Sequence, residues 1–182
     1  MKLTLDVINH WNEKKMKNYL KFSKLMETNT RSFKRVFLEI QATLTSQIGE
    51  FIIIKNSKNK IVGYCLLYHG QITSKYKRIA YFAVPVHYRN KGFGVLGMKM
   101  ILKELIDLDE GCTLACEANL NSFYKQTGLI FIKLDDENKT EHIMGFECNK
   151  NKVDLNMHPT INKNLIENTY DKFDKHYKLS KL

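Results

Sequence analysis

A strand that passes through a glycine turn into a helix constrains this chain more than any other feature. Residues from about Arg78 to Val86 read as a strand, RNKGFG follows, and Leu96, Met100, Ile101 and Leu105 then recur at helical spacing. A strand joined so directly to a helix belongs to a layered fold of helices on a sheet. The turn also has chemical consequences. Gly92 and Gly94 carry no Cβ, so an anion can approach the backbone closely. The first-turn amides of a helix lack intrahelical acceptors and point at such an anion. Arg89 and Lys91 add positive charge at the same end, and Asn90, Phe93 and Val95 complete the loop.

Two phosphate-binding classes fit poorly. GFGVLG, from Gly92 to Gly97, satisfies the spacing GxGxxG of dinucleotide-binding folds. No parallel βαβ partner with a ribose-binding acid follows, however, because Asp107 and Asp109 fall in or at the end of the helix. No GKS or GKT occurs, which removes the P-loop.

Around this unit the period of the apolar residues changes several times. Val7, Ile8, Trp11, Tyr19, Leu20 and Leu25 predict a helical first fifth, and Phe33, Val36, Phe37, Ile40 and Leu44 predict a second helix capped by Thr30 or Ser32. Phe51–Lys55, SKNK and Ile61–Tyr68 predict a hairpin. After the central helix come a short strand, Cys112–Cys116, a short helix around Ser122–Thr127 closed by Gly128, and strands at Leu129–Leu134 and His142–Cys148 about the polar turn DDENKTE. These elements predict one mixed α/β domain over 1–149. Residues 150–182 form an extension in which Ile161, Leu165, Tyr170, Phe173 and Tyr177 suggest an amphipathic helix, packed on its own domain or serving a partner.

Composition narrows the class. No apolar run approaches bilayer length, and no secretory leader is visible, so a cytoplasmic location without membrane association is expected. Cys65, Cys112, Cys116 and Cys148 sit in apolar runs without a CxxC pair, which predicts reduced core thiols and no metal site. The net charge of +10 comes from 25 lysines and only 4 arginines, scattered along the chain. That pattern suits an anionic cofactor and gives no arginine-rich surface for reading nucleic acid.

VPVHYRNKGFGVLGMKMILKEL resembles motif A of the GNAT superfamily of acetyl-CoA-dependent N-acetyltransferases, V-x-P-x-x-R/Q-x-x-G-x-G/A. Val86 stands where proline is usual, and Pro85 precedes it. About thirty residues later FYKQTGLIF resembles the second signature, FYxxxGF, with Leu129 in place of phenylalanine. The resemblance covers roughly residues 3–149. It implies a GNAT-like α/β (α+β) fold: a mixed, mostly antiparallel sheet of about six to seven strands, flanked by helices and splayed between the fourth and fifth strands. It also implies that acetyl-CoA inserts there, its pantetheine pairing near Val84 and Val86 and its pyrophosphate meeting the amides from Asn90 to Val95.

Acetyl transfer to an amine needs a neutral nitrogen, a stabilised oxyanion and a proton for the departing thiolate. The resemblance gives the proton to Tyr124. A carboxylate found early on the fourth strand of some relatives is replaced here by Arg78, so Glu117 is the leading base, ahead of His87 and Tyr81. Asn119 or Asn121 matches an asparagine often found before the tyrosine. The expected reaction is direct attack of a primary amine on acetyl-CoA, with CoA as product. The acceptor is a small molecule, a protein lysine or an N-terminus, and a homodimer is possible. Two alternatives stay open: a GNAT-like binding module without catalysis, and an enzyme acting on an amine borne by nucleic acid.

Overall fold

Strict alternation in FIII sends Phe51 and Ile53 to one side of a strand and Ile52 and Ile54 to the other. All four are buried, so this strand must be covered on both faces. A computed structural model, describing residues 1–28, 32–69, 76–134 and 141–146, shows how that is met. The strands are Leu3–Ile8 (β1), Gly49–Asn56 (β2), Ile61–His69 (β3), Tyr76–Ala83 (β4), Gly111–Glu117 (β5), Ile130–Leu134 (β6) and Glu141–Phe146 (β7). They form one seven-stranded sheet in the order β1-β2-β3-β4-β5-β7-β6. Every neighbouring pair is antiparallel except β4 and β5, which run parallel.

Helices α1 (Met16–Leu25) and α2 (Phe33–Thr45) cover one face. Their apolar stripe meets Phe51, Ile53, Tyr64, Leu66 and Tyr81 in a core rich in aromatic rings, where Phe22 lies 5.3 Å from Phe51 and 5.6 Å from Tyr64. Each such fully buried side chain contributes roughly 1.5–3 kcal/mol of transfer free energy. The Ser32 side chain caps α2 by accepting from the Arg35 amide at 3.2 Å, as the sequence predicts. Helices α3 (Phe93–Asp107) and α4 (Asn121–Thr127) cover the opposite face, with Met98, Ile101, Leu102 and Leu105 packed on Ile52, Ile54, Cys65 and Leu114. Helix α3 closes with Asp109 at φ 55°, while the Glu110 amide donates to the Leu105 carbonyl at 2.8 Å.

One expectation fails at the N-terminus. Residues 3–8 form a strand, and the first helix begins only at Met16. Leu3 and Leu5 alternate onto the α3 face, and β1 is a sheet edge that leaves Val7 exposed, so its pattern is sparse enough to pass for a helix face. Trp11, counted with that helix, instead stacks on Tyr19 of α1 from outside it, with ring centroids 4.9 Å apart. The hairpin, the three later helices and the closing strands lie where the sequence places them, within two residues at most ends. Cys65, Cys112 and Cys116 are buried free thiols. The expected turn at 135–140, Cys148, the domain boundary near Asn149 and the C-terminal helix lie outside the described residues.

Candidate active site

Strands β4 and β5 are neighbours over only part of their length. Tyr76, Lys77 and Arg78 pair with Gly111, Cys112 and Thr113, and no later residue of β4 pairs with β5. Beyond that point β5 continues to pair with β7 as far as Glu117, and β4 continues against β3 as far as Ala83. The two strands therefore diverge and leave facing edges of unpaired backbone. The divergence starts beside a register shift in the β3–β4 ladder, where Leu67 pairs with Ile79 and Leu66 with Tyr81, leaving Ala80 as the extra residue. A bulge bends and twists its strand, which turns β4 away from β5.

The open end of β4 leads into the glycine turn. The strand stops at Ala83, short of the expected Val86, which falls in a 3-10 turn (Val86–Tyr88) and is 69% exposed. Arg89 Nε donates to the Val84 carbonyl at 3.0 Å and closes this turn against the strand. Asn90 and Gly92 both take left-handed backbone, at φ 57° and φ 78°, and Gly92 is the N-cap of α3. Only the Leu96 amide of that first turn reaches back to the Gly92 carbonyl, at 3.0 Å. At Gly94 an added Cβ would lie 3.1 Å from the Phe123 ring and 3.4 Å from Val84, so glycine allows α4, β4 and the start of α3 to close together.

A cavity of about 700 Å³ lies along the open end of β4. It is lined by Val84, Arg89, Asn90, Gly92, Gly94 and Val95 from the turn, Phe82 and Ala83 from β4, Leu120, Phe123, Tyr124 and Gln126 from the α4 region, and Leu25 and Met26 from the end of α1. Its size and apolar character with a few polar groups are those of a small-molecule site. Tyr124 stands on α4, and its carbonyl accepts from Thr127 Oγ1 at 2.6 Å and from the Leu129 amide at 3.3 Å as Gly128, at φ 104°, ends the helix. The side chain is buried, 8% exposed, and its hydroxyl has no hydrogen-bond partner among the described residues. Burial, with smaller contributions from nearby Cys116 and Cys65, pushes the phenol well above its ordinary pKa.

The structure divides the other predicted residues. Lys91 is exposed beside the turn, and Phe93 packs on Tyr88 with ring centroids 5.3 Å apart; neither lines the cavity. Glu117 is exposed at the end of β5, opposite Glu141 of β7, and is also outside the lining. Asn119 is exposed. Asn121 ties α4 to the sheet instead, with Nδ2 2.6 Å from His142 Nδ1 and Oδ1 3.7 Å from Cys116 Sγ. His87 is exposed next to Tyr88. Tyr81 is buried on the α1–α2 face, where it donates to Glu39. The lining residues of α1 and Phe82 carry no motif, so only the fold reveals them.

The fold, the divergence and the glycine turn together permit a comparison with known proteins. The sequence profile of the acetyltransferase (GNAT) family matches residues 9–129. The chain belongs to the GNAT family. Its members are acetyl-CoA-dependent N-acetyltransferases, and this protein is an enzyme of that kind. Solved structures share the fold of this GNAT protein at low identity. ElaA of Escherichia coli is 15% identical, with a TM-score of 0.64 over 80% of this chain and 100% of that one. Spermidine N-acetyltransferase from Vibrio cholerae, solved with CoA and spermine, is 12% identical, with a TM-score of 0.59 over 79% and 92%. The PaiA N-acetyltransferase from Thermoplasma acidophilum, solved with coenzyme A, is also 12% identical, with a TM-score of 0.56 over 79% and 99%. No curated protein sequence matches the chain. Among the described residues of this GNAT enzyme there is no group of three or more side chains suited to a metal ion, and no helix is long and apolar enough to cross a membrane.

Proposed function

We propose that this enzyme transfers the acetyl group of acetyl-CoA to a primary amine by direct attack in a ternary complex. The observation that carries this reading is the unpaired edge of β4, which faces a cavity that ends at the glycine turn of α3 and holds the Tyr124 hydroxyl. An acyl-CoA needs a site for its pyrophosphate, a partner for its pantetheine amides and a sheltered place for its thioester. The residues present fit those needs. First-turn amides of α3 near Gly92 and Gly94, with Arg89 and Asn90 beside them, suit the pyrophosphate. Unpaired backbone at Phe82–Val84 suits the amides, because buried backbone groups require hydrogen-bond partners.

Acetyl-CoA supplies an activated carbonyl carbon and a thiolate leaving group. A backbone amide of β4 near Val84 polarises the carbonyl, and Tyr124 gives its proton to the sulfur. A phenol with a raised pKa is protonated throughout the neutral range and so remains available as an acid. The acceptor nitrogen must lose its charge, since a free alkylamine has a pKa of about 10.4. Glu117 is the base nominated by the sequence, and it stands exposed at the end of β5, outside the cavity lining. Spermidine is the first acceptor to test, because structural relatives include spermidine N-acetyltransferases.

The test follows release of free CoA thiol from acetyl-CoA across a panel of amines, with Tyr124→Phe as the control. The expected result is amine-dependent thiol release that the variant slows by about a hundredfold. Acetyl-CoA binding without transfer to any amine would instead identify a binding module.

A further inference from the structure

Glu39 of α2 gathers three donors on the sheet face opposite Tyr124. Its Oε2 accepts the hydroxyls of Tyr81 on β4 and Tyr68 on β3, the latter at 3.3 Å, and its Oε1 pairs with Arg35 Nε at 2.9 Å. A helix-surface carboxylate ordinarily turns to water, yet two buried phenols draw this one onto the sheet. Its side chain still keeps 17% of its surface exposed. An ionised carboxylate has about four lone-pair positions, so three donors leave room for another.

Position gives this cluster its meaning. Tyr81 precedes Phe82 and Ala83, which line the cavity together with Tyr124. Through Tyr81, Glu39 therefore meets the open part of β4 from the α2 face, while Tyr124 meets the cavity beside it from the α4 face. Strands β4 and β5 exchange no pairs there, and the cavity is lined by Leu25 and Met26 from the end of α1 as well as by Phe123 and Tyr124 of α4, so a thioester held in it can be approached from the α1–α2 face. Arg78, the register partner of Tyr68, shares the α2 face at the closed end. Among the described residues, the charged and titratable groups around Glu39 are Arg35 from its own helix, Tyr68 from β3 with Arg78 beside it, and Tyr81 from β4. Helix α1 packs on α2 through the apolar core and gives Glu39 no ion pair among the described residues.

We propose that Glu39 is the acceptor-side carboxylate, which pairs with the ammonium of the incoming amine and takes a proton from it as the nitrogen attacks the thioester. This deepens the acetyl-transfer reading and rests on it. The balance is simple. One ammonium proton passes to Glu39 and on to solvent, the C–N bond forms, the C–S bond breaks, and the sulfur takes the Tyr124 proton. The second nitrogen proton restores Tyr124, so the products are an acetamide, CoA thiol and one proton in solvent.

The experiment compares wild type, Glu39→Gln and Glu117→Gln. The probes are whichever of spermidine, benzylamine or a lysine peptide is acetylated fastest, and aniline, an amine uncharged at neutral pH. For Glu39→Gln, kcat/KM with the cationic amine at pH 7 should fall at least tenfold and recover towards wild type as pH nears the amine's own pKa of about 10. Aniline turnover should stay within twofold. Calorimetry without acetyl-CoA should show weakened binding of the cationic amine, and acetyl-CoA binding should be unchanged. Should Glu39→Gln melt below the assay temperature, Glu39→Asp carries the test and must keep the preference for the cation. An equal loss with both amines, a loss that pH does not repair, or a loss confined to Glu117→Gln would overturn the assignment. A wild type that acetylates no amine removes the acetyl-transfer reading and this one with it, whereas transfer indifferent to Glu39 removes this one alone.

Discussion

Tyr76–Arg78 and Ile79–Ala83 belong to one strand, and yet the first three residues are locked to β5 and the next five are not. At the closed end Gly111 lets the strands approach, since a Cβ there would lie 2.4 Å from the Tyr76 ring. Lys77, whose side chain is 10% exposed, reaches Glu50 of β2 at 3.3 Å and Glu110 before β5 at 3.1 Å, and His69 of β3 also meets Glu50, at 3.2 Å. At the open end no ion pair joins β4 to β5 among the described residues, and the bulge at Ala80 turns the strand aside. One end of the pair is cross-linked, and the other leaves strand edges unpaired beside the cavity. Separate measurements on the two ends should therefore respond to different substitutions.

The largest effect belongs to the open end. Tyr124→Phe should lower kcat about a hundredfold while the melting temperature and acetyl-CoA affinity stay close to wild type. Lys77→Ala should do the reverse. It leaves Glu110 without its cation and Glu50 with His69 alone, at a cost of roughly 2–3 kcal/mol, or about 5–10 °C in melting temperature. Acetyl-CoA affinity per folded molecule should hold. A Lys77→Ala protein that melted like wild type would show that the closed end is not what pins the strands.

Smaller effects sharpen the contrast. Gly94→Ala pushes a methyl group towards Phe123 and Val84, so acetyl-CoA affinity measured by calorimetry should weaken by about 1 kcal/mol, roughly fivefold. The smallest effect concerns acid. The hydrogen bond from His69, then the charges of Lys77 and His69, outweigh burial and hold Glu50 below the usual carboxylate range. A depressed folded-state value gives stability that is present above the unfolded pKa of about 4.3 and is lost as pH falls through the folded value. The melting temperature should accordingly drop below about pH 4 in wild type and flatten in Glu50→Gln.

What could be read from the sequence divides along the same line. RNKGFG and FYKQTG were legible because each motif is local: Gly92 needs left-handed backbone, Gly128 ends a helix, and Tyr124 sits at a fixed distance from it. Strand β1 was not legible, because an edge strand buries few residues and Val7, Ile8 and Trp11 mimic helical spacing. The bulge at Ala80 leaves no trace in composition, and the apolar run carries the expected strand three residues past Ala83, to Val86. Glu39 escaped notice for another reason. Its i,i+4 pairing with Arg35 resembles ordinary helix-surface charge, and only the sheet brings Tyr68 and Tyr81, 29 and 42 residues away in sequence, to its carboxylate.

Hydrogen–deuterium exchange with and without acetyl-CoA tests the central claim most directly, because amide protection reports which backbone groups gain partners. Peptides covering 79–84 and 92–96 should become protected when acetyl-CoA is added, and those covering 76–78 and 111–113, already paired, should not change. Absence of binding, or protection that appears elsewhere and spares both segments, would contradict the assignment of the open strand edge and glycine turn to acetyl-CoA.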